Sequence, residues 1–232
     1  MIYGMVLAGG VGRRMGSEIP KQYLEVNGRA IISHTVSTFL KNEHLEQVIV
    51  LTPEDWVEDT KALLARDLGE QPRLHVTAGG ELRNDTIMNG IAYIREHDPD
   101  SENAVLITHD AVRPFVTQEI IDANIEALKS HTACDTVVPS TDTIVVSEDG
   151  KTISSVPDRA KLYNGQTPQS FRLGTFERLY NSLSEEEKHI LTDAAKVFVL
   201  KGEEVALVEG ASSNIKITYP SDLDMAESIL GK

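Results

Sequence analysis

The stretch "MVLAGGVGRRMGSEIPKQYLEV", Met5 to Val26, runs an apolar segment into two glycines, adds a third at Gly12, and then sets Arg13, Arg14 and Lys21 within nine residues. A strand ending in Gly9-Gly10-Val11-Gly12 suits a backbone that approaches a ligand too closely to tolerate a Cβ. In a parallel sheet such a turn lies at the carboxyl end of its strand, where these folds bind ligands. The N–H groups there would form a nest for phosphate oxygens.

Working outward from that turn, strand-length apolar runs recur at 2–8, 46–52, 73–79, 103–110, 134–140 and 204–210, with helix-like stretches around 31–42, 54–67, 82–97, 117–130 and 173–184. The alternation predicts an α/β fold, Rossmann-like, with a mostly parallel sheet flanked by helices on both faces. Residues 1–232 read as one domain, a length able to bury a sizeable core. One segment breaks the rhythm. "TDTIVVSEDGKTISSVPDR", 141–159, has β-branched runs on either side of Asp149-Gly150, which predicts a β-hairpin arm projecting from the sheet and covering something such as a partner subunit.

With 22 Lys and Arg against 36 Asp and Glu, the net charge is −14, so the average surface repels nucleic acid and anionic membranes. Neither is expected as a partner, and any polyanion must bind at a local basic site. Cys134 is the only cysteine, which excludes an intramolecular disulfide and a clustered-thiolate metal site and reads as a small buried filler. No run reaches about 18 apolar residues. The opening "MIYGMVLAGG" has no basic leader, so a cytoplasmic location is expected.

Two familiar phosphate loops fail on inspection. The dinucleotide fingerprint starting at Gly10 has Met15 where its third glycine belongs, and no Gly-Lys-Ser/Thr follows the turn. What remains is a glycine loop neutralised by Arg14 and Lys21, a pattern that suits a triphosphate losing pyrophosphate, with the cations offsetting charge on the leaving oxygen. Asp110 ends an apolar strand, where a carboxylate can hold Mg²⁺ against triphosphate oxygens. Arg113 could bind an acceptor phosphate or pair with Asp110, and His109 reads as structural. Lys216, in "NIKIT", reads as a lysine on a late apolar strand, hence snorkelling or functional. Asp193 and Asp222 read as helix caps.

"LAGGVGRRMGSEIPKQYL" resembles the signature of the nucleotide-diphospho-sugar transferase superfamily, and Pro20-Lys21-Gln22 narrows the resemblance to cytidylyltransferases acting on polyol phosphates. It continues through "GGELRNDTIMNGI", "THDAVRPF", "DRAKLYNGQTPQSF", "LTDAAKVF" and "SNIKITYPSDL", and so covers essentially the whole chain. The resemblance implies a nucleotide site of Leu7, Ala8, Gly9, Gly10, Gly12, Gly80, Arg83 and Thr86, with Arg14, Lys21 and Lys216 as the catalytic cations. It also implies an acceptor site of Asp110, Arg113, Thr143, Arg159 and Thr167, with Thr143 and Arg159 serving the neighbouring subunit of a homodimer.

The activity implied is Mg²⁺-dependent transfer of CMP from CTP to a polyol phosphate. The motifs resemble the ribitol-5-phosphate enzymes of teichoic acid synthesis more than the methylerythritol-phosphate enzymes of isoprenoid synthesis. "EIPKQYL" and "ITYPSDL" depart from the ribitol pattern and keep the second acceptor open. A catalytically silent nucleotide-binding subunit would be expected to have lost Arg14, Lys21 or Lys216, and all three are present.

Overall fold

The computed structural model describes residues 1–10 and 19–230. Gly12, Arg13 and Arg14, and with them part of the glycine loop, lie outside the described residues. In chain order the elements are β1 (Ile2–Leu7), the short strands β2 (Glu25–Val26) and β3 (Arg29–Ala30), α1 (Ile31–Lys41), β4 (Gln47–Thr52), α2 (Val57–Leu68), β5 (Leu74–Ala78), α3 (Arg83–His97) and β6 (Val105–Asp110). There follow α4 (Gln118–Ala127), β7 (Ala133–Pro139), β8 (Tyr163–Arg172), α5 (Leu173–Asn181), α6 (Glu185–His189), α7 (Ala195–Leu200), β9 (Ala206–Glu209) and α8 (Pro220–Leu230).

Seven strands form one sheet in the order β5-β4-β1-β6-β8-β7-β9. β5, β4, β1 and β6 are mutually parallel, β8 runs antiparallel to both β6 and β7, and β9 is parallel to β7. Both faces of the sheet are covered, so the central strands are apolar on both sides and alternate only in which layer they feed. Tyr3, Met5 and Leu7 join Ile49, Leu51 and Leu106 under α3, α5 and α7, while Val6 joins Val48, Val50 and Ile107 under α1, α2 and α4. Helix α3 comes very close to β1: a Cβ at Gly90 would stand 2.7 Å from the Met5 methyl and would push that side chain aside.

From β1 the chain steps outward through β4 to β5 and then returns to place β6 on the other side of β1. That reversal opens a crevice beyond the carboxyl ends of β1 and β6, the place where open parallel sheets bind ligands. Gly9-Gly10 and Asp110 are delivered to it from two adjacent strands.

Beyond the apolar runs, "YNGQTPQSF" also forms a strand, β8; it accommodates Pro168 by bulging, Gln166 to Pro168 standing against the single residue Thr136 of β7. Two expectations need correction. Lys216 does not lie on a strand: 211–219 carries no regular structure and is pinned by the Ile217 N–H donating to the Val112 carbonyl at 2.9 Å. The arm turns at Asp149-Gly150, where Asp149 accepts the Lys151 and Thr152 N–H groups at 2.8 Å, yet no ladder follows. A single bridge, Val146 to Ser155, joins its two sides, because an isolated two-stranded ribbon has nothing within the chain to pack on. From 141 to 160 only Pro157 is less than exposed. No helix among the described residues is long and apolar enough to cross a membrane.

Candidate active site

The crevice holds a cleft of about 430 Å³. Its floor is the end of β1, with Leu7, Ala8, Gly9 and Gly10, and its walls carry Lys21, Gly80, Arg83, Thr86, Asp110 and Lys216. Gln22, buried, donates to the Ala8 carbonyl at 2.6 Å and so fastens the Pro20-Lys21-Gln22 turn to the strand end. Lys21 is buried beside it and donates to the Ile217 carbonyl at 2.7 Å, which brings it next to Lys216. The opposite wall is the entry to α3. A Cβ on Gly80 would lie 2.5 Å from the Asp85 Cβ, so only glycine lets this turn close on the helix. The Thr86 hydroxyl accepts the Gly80 N–H at 3.0 Å and donates to the Leu82 carbonyl at 3.0 Å, setting the shape of that turn.

Asp110 is the electrostatic centre. It pairs with Arg83, with Arg113 at 3.6 Å and with Lys216 at 2.8 Å, while Thr167 accepts its backbone N–H at 3.2 Å. Burial alone would push its carboxyl up, but the charges of Arg83, Lys216 and Arg113 outweigh it and hold Asp110 well below the ordinary carboxylate range. Arg113 also donates to the Asn214 carbonyl at 2.8 Å, so it serves as a counter-ion and a brace for the Lys216 segment. His109 is fully buried between the Arg113 carbonyl and the Thr167 hydroxyl; burial pushes it down to about 4 and keeps it neutral.

A smaller chamber of about 150 Å³ adjoins the cleft on the β8 side and shares Arg83, Asp110 and Lys216 with it. Arg113, Thr167, Gln169 and Asp193 are among the other residues of its wall. Two sites of unequal size, joined across one carboxylate with three cations, suit a large and a small phosphorylated substrate meeting at their phosphates.

A model of the 2-C-methyl-D-erythritol 4-phosphate cytidylyltransferase family, IspD, matches residues 2–232. The chain belongs to that family. Among curated relatives, a ribitol-5-phosphate cytidylyltransferase of Streptococcus pneumoniae serotype 2 is 47% identical over 234 residues, covering 100% of both chains. Among solved structures, the 4-diphosphocytidyl-2C-methyl-D-erythritol synthase of Anaerococcus prevotii superimposes with a TM-score of 0.83 at 28% identity, covering 100% of this chain and 96% of that one. The 2-C-methyl-D-erythritol 4-phosphate cytidylyltransferase of Francisella tularensis gives 0.80 at 27%, covering 98% of each.

Within this cytidylyltransferase the residues anticipated for the nucleotide, apart from Gly12, gather in the larger cleft, and Asp110, Arg113 and Thr167 gather around the smaller chamber. Thr143 and Arg159 do not join them: both are exposed on the arm, where Arg159 donates to the Thr141 carbonyl at 3.1 Å. Sequence reasoning passed over Gln22 and Gln169, which line the cleft and the chamber and lay unremarked inside the quoted motifs "PKQ" and "QTPQ". Asp193 accepts the Lys196 N–H at 2.9 Å and Asp222 accepts those of Thr218 and Tyr219, so both work as end-of-helix acceptors. Cys134 is buried, and burial pushes its thiol up to about 12, as suits a packing residue.

Among the described residues no three His, Cys, Asp or Glu side chains converge on a metal position. The donor set nevertheless fits Mg²⁺ bound together with a triphosphate, since that ion takes one or two carboxylates and fills its remaining positions with phosphate oxygens and water. Asp110, which lines the cleft and is held ionised by its three cations, would be the carboxylate for it.

Proposed function

We propose that the chain transfers CMP from CTP to D-ribitol 5-phosphate, giving CDP-ribitol and pyrophosphate for teichoic acid synthesis, as a cytoplasmic homodimer. The observation that carries this acceptor is the contrast in identity: 47% over the whole length to a ribitol-5-phosphate cytidylyltransferase, against 28% and 27% to structures of the methylerythritol enzymes. The family model bears the methylerythritol name, which supports 2-C-methyl-D-erythritol 4-phosphate as the second reading.

CTP would lie in the cleft with its base and ribose against Gly80, Arg83 and Thr86 and its phosphates over Gly9-Gly10. An oxygen of the acceptor's phosphate attacks the α-phosphorus, the bond from that phosphorus to the bridging oxygen breaks, and pyrophosphate leaves with the bonding electrons. The nucleophile is already ionised, so no covalent enzyme intermediate is needed. Lys21 and Lys216, joined by Arg14 from the glycine loop, would face the leaving pyrophosphate and offset its growing charge. Arg113, with Thr167, would hold the acceptor phosphate in line. Mg²⁺ held at Asp110 would supply further neutralisation of the triphosphate. On binding, the cations that Asp110 occupies would exchange that carboxylate for phosphate oxygens. The arm, with Thr143 and Arg159, would reach the acceptor site of a second copy.

Pyrophosphate release from CTP and Mg²⁺, measured in parallel with D-ribitol 5-phosphate and 2-C-methyl-D-erythritol 4-phosphate, tests the reading. Strong preference for ribitol phosphate is expected. Preference for methylerythritol phosphate would transfer the protein to isoprenoid synthesis with the same chemistry, and release with neither would sink both.

A further inference from the structure

Lys21 opens a tight 3₁₀ turn, Lys21–Tyr23, whose three residues send successive side chains about 120° apart. Each reaches a different part of the protein. Lys21 donates to the Ile217 carbonyl at 2.7 Å and Gln22 to the Ala8 carbonyl at 2.6 Å, while the Tyr23 hydroxyl lies between Thr52 Oγ1 at 2.6 Å and Thr60 Oγ1 at 2.8 Å. The Tyr23 ring stacks on Trp56 with centroids 4.6 Å apart. Lys21 and Gln22 line the cleft, whereas Tyr23 is buried behind it and is not among the lining residues.

Counting donors assigns the protons of this cluster. Thr60 donates its one hydroxyl proton to the Trp56 carbonyl at 2.6 Å, so towards Tyr23 it accepts. Tyr23 then has no proton left for Thr52, which donates to the tyrosine oxygen. The result is one directed chain, Thr52 to Tyr23 to Thr60 to the Trp56 carbonyl, in which every hydroxyl proton is used and both threonines are fully buried.

That chain is fastened to the frame of the nucleotide cleft. Thr52 ends β4, and its carbonyl accepts the Gly79 N–H at 2.7 Å, beside the Gly80 turn of the cleft wall. The Leu51 carbonyl accepts the Ala8 N–H at 2.7 Å, and the Ala8 carbonyl accepts Gln22. The carboxyl end of β4 thus holds the glycine turns of both walls, and Tyr23 ties the Lys21 turn to the same point. A lysine is a point charge on a flexible stem, and it stabilises a developing anion best when its position is fixed beforehand.

We infer that Tyr23 is a positioning residue for Lys21: its hydroxyl, held by Thr52 and Thr60 behind the cleft, fixes the turn from which the Lys21 ammonium meets the leaving pyrophosphate. The inference rests on the CMP-transfer reading above and deepens it. Removing the hydroxyl alone keeps the ring on Trp56 but leaves Thr52 without an acceptor and Thr60 without a donor, so the turn loses its fixed place.

A double-mutant cycle tests this, read as pyrophosphate release from CTP and Mg²⁺ with the preferred of the two polyol phosphates, well below the unfolding midpoint of every variant. Tyr23→Phe and Thr60→Val are each made in wild type and in Lys21→Ala. In the wild-type background kcat should fall about 10-fold with Tyr23→Phe, less than the roughly 100-fold of a 1 Å misplacement, with KM for CTP within about twofold. Thr60→Val should lower kcat in the same direction. In the Lys21→Ala background neither change should lower kcat further, because the group they position is gone. Loss by the same factor in both backgrounds, or no loss in wild type, would overturn the inference. Thr60→Val reaches the same hydroxyl from α2 and decides the question if Tyr23→Phe fails to fold. Full turnover in Lys21→Ala would overturn the inference together with the assignment of Lys21, and no release by wild type with either acceptor would instead overturn the reading on which both stand.

Discussion

In the cleft, polar side chains find partners inside the chain: Asp110 meets Arg83, Arg113 and Lys216, Gln22 holds Ala8, and Lys21 holds Ile217. In the arm, Ile144, Val145, Val146, Ile153 and Val156 stand exposed around one bridge. The cleft is therefore built by long-range contacts of a single copy, whereas the arm offers apolar surface and two acceptor-matching residues with no site of its own. The difference teaches where one chain suffices. The proposed nucleotide residues that the structure describes gather within it, whereas the arm has nothing within the chain to pack on.

The largest effect should come from the centre of that cleft. Asp110→Asn leaves three cations around a neutral amide, and breaking a buried ionic cluster from one side costs about 3–5 kcal/mol. Urea unfolding should show that loss together with loss of turnover. An Asn variant as stable as wild type would mean that the three cations are satisfied elsewhere. Lys21→Ala comes next and divides the two quantities. Turnover should fall about 10²- to 10³-fold, the scale of one preorganised charge at a developing anion, while stability drops only ~1 kcal/mol for the freed Ile217 carbonyl. Near-normal turnover would sink the assignment of Lys21 to the leaving group.

The arm answers a different experiment. Arg159→Ala should leave thermal unfolding of the chain almost unchanged, since Arg159 is exposed, yet lower kcat/KM by about 10- to 100-fold for a lost charged hydrogen bond to the acceptor. Mixed with Lys21→Ala, it should recover roughly a quarter of wild-type activity, because half the dimers are mixed and each mixed dimer keeps one intact site. Absence of recovery in exchanged, verified dimers would return Arg159 to its own subunit or to no site at all.

The parts of this architecture that were legible in sequence are those written in periodicity. β1, β4, β5, β6, β7 and β9 announce themselves as apolar runs, and α1 to α5 as the stretches between them. β8 was hidden because its central residues are "QTPQ", which bulge against Thr136 of β7, and because its pairing partners β6 and β7 lie far away in the chain. Ile215 and Ile217 flank Lys216 with strand-like alternation, yet the segment joins no ladder: one backbone bond to Val112 and the side chains of Lys21 and Arg113 hold it. The nucleotide residues were visible as motifs. Arg113, three residues on, was open to pairing with Asp110, but the pairing of Arg83 and Lys216 with it was not visible, because both reach it from distant parts of the chain.

Asp135 sits where the two regions join, on the strand that leads into the arm, and it gives the smallest and sharpest test. Its folded carboxyl titrates at about 7, so between about pH 4 and 7 the folded chain keeps a proton the unfolded chain has lost, and rising pH disfavours the fold. His109 does the opposite. Held at about 4 by burial, it stays neutral in the folded chain while the unfolded chain binds a proton below about 6.5, so rising pH over that window favours the fold. In wild type the two slopes offset each other, and stability should vary little from pH 4.5 to 6.5, a window set by those two groups. Asp135→Asn removes one of them. Stability of the variant should then climb with pH across the same window by on the order of 1–2 kcal/mol, read from urea midpoints at constant ionic strength. A variant profile parallel to that of wild type would show that Asp135 is already ionised in the folded protein, its carboxylate balanced by Arg83 and Arg113.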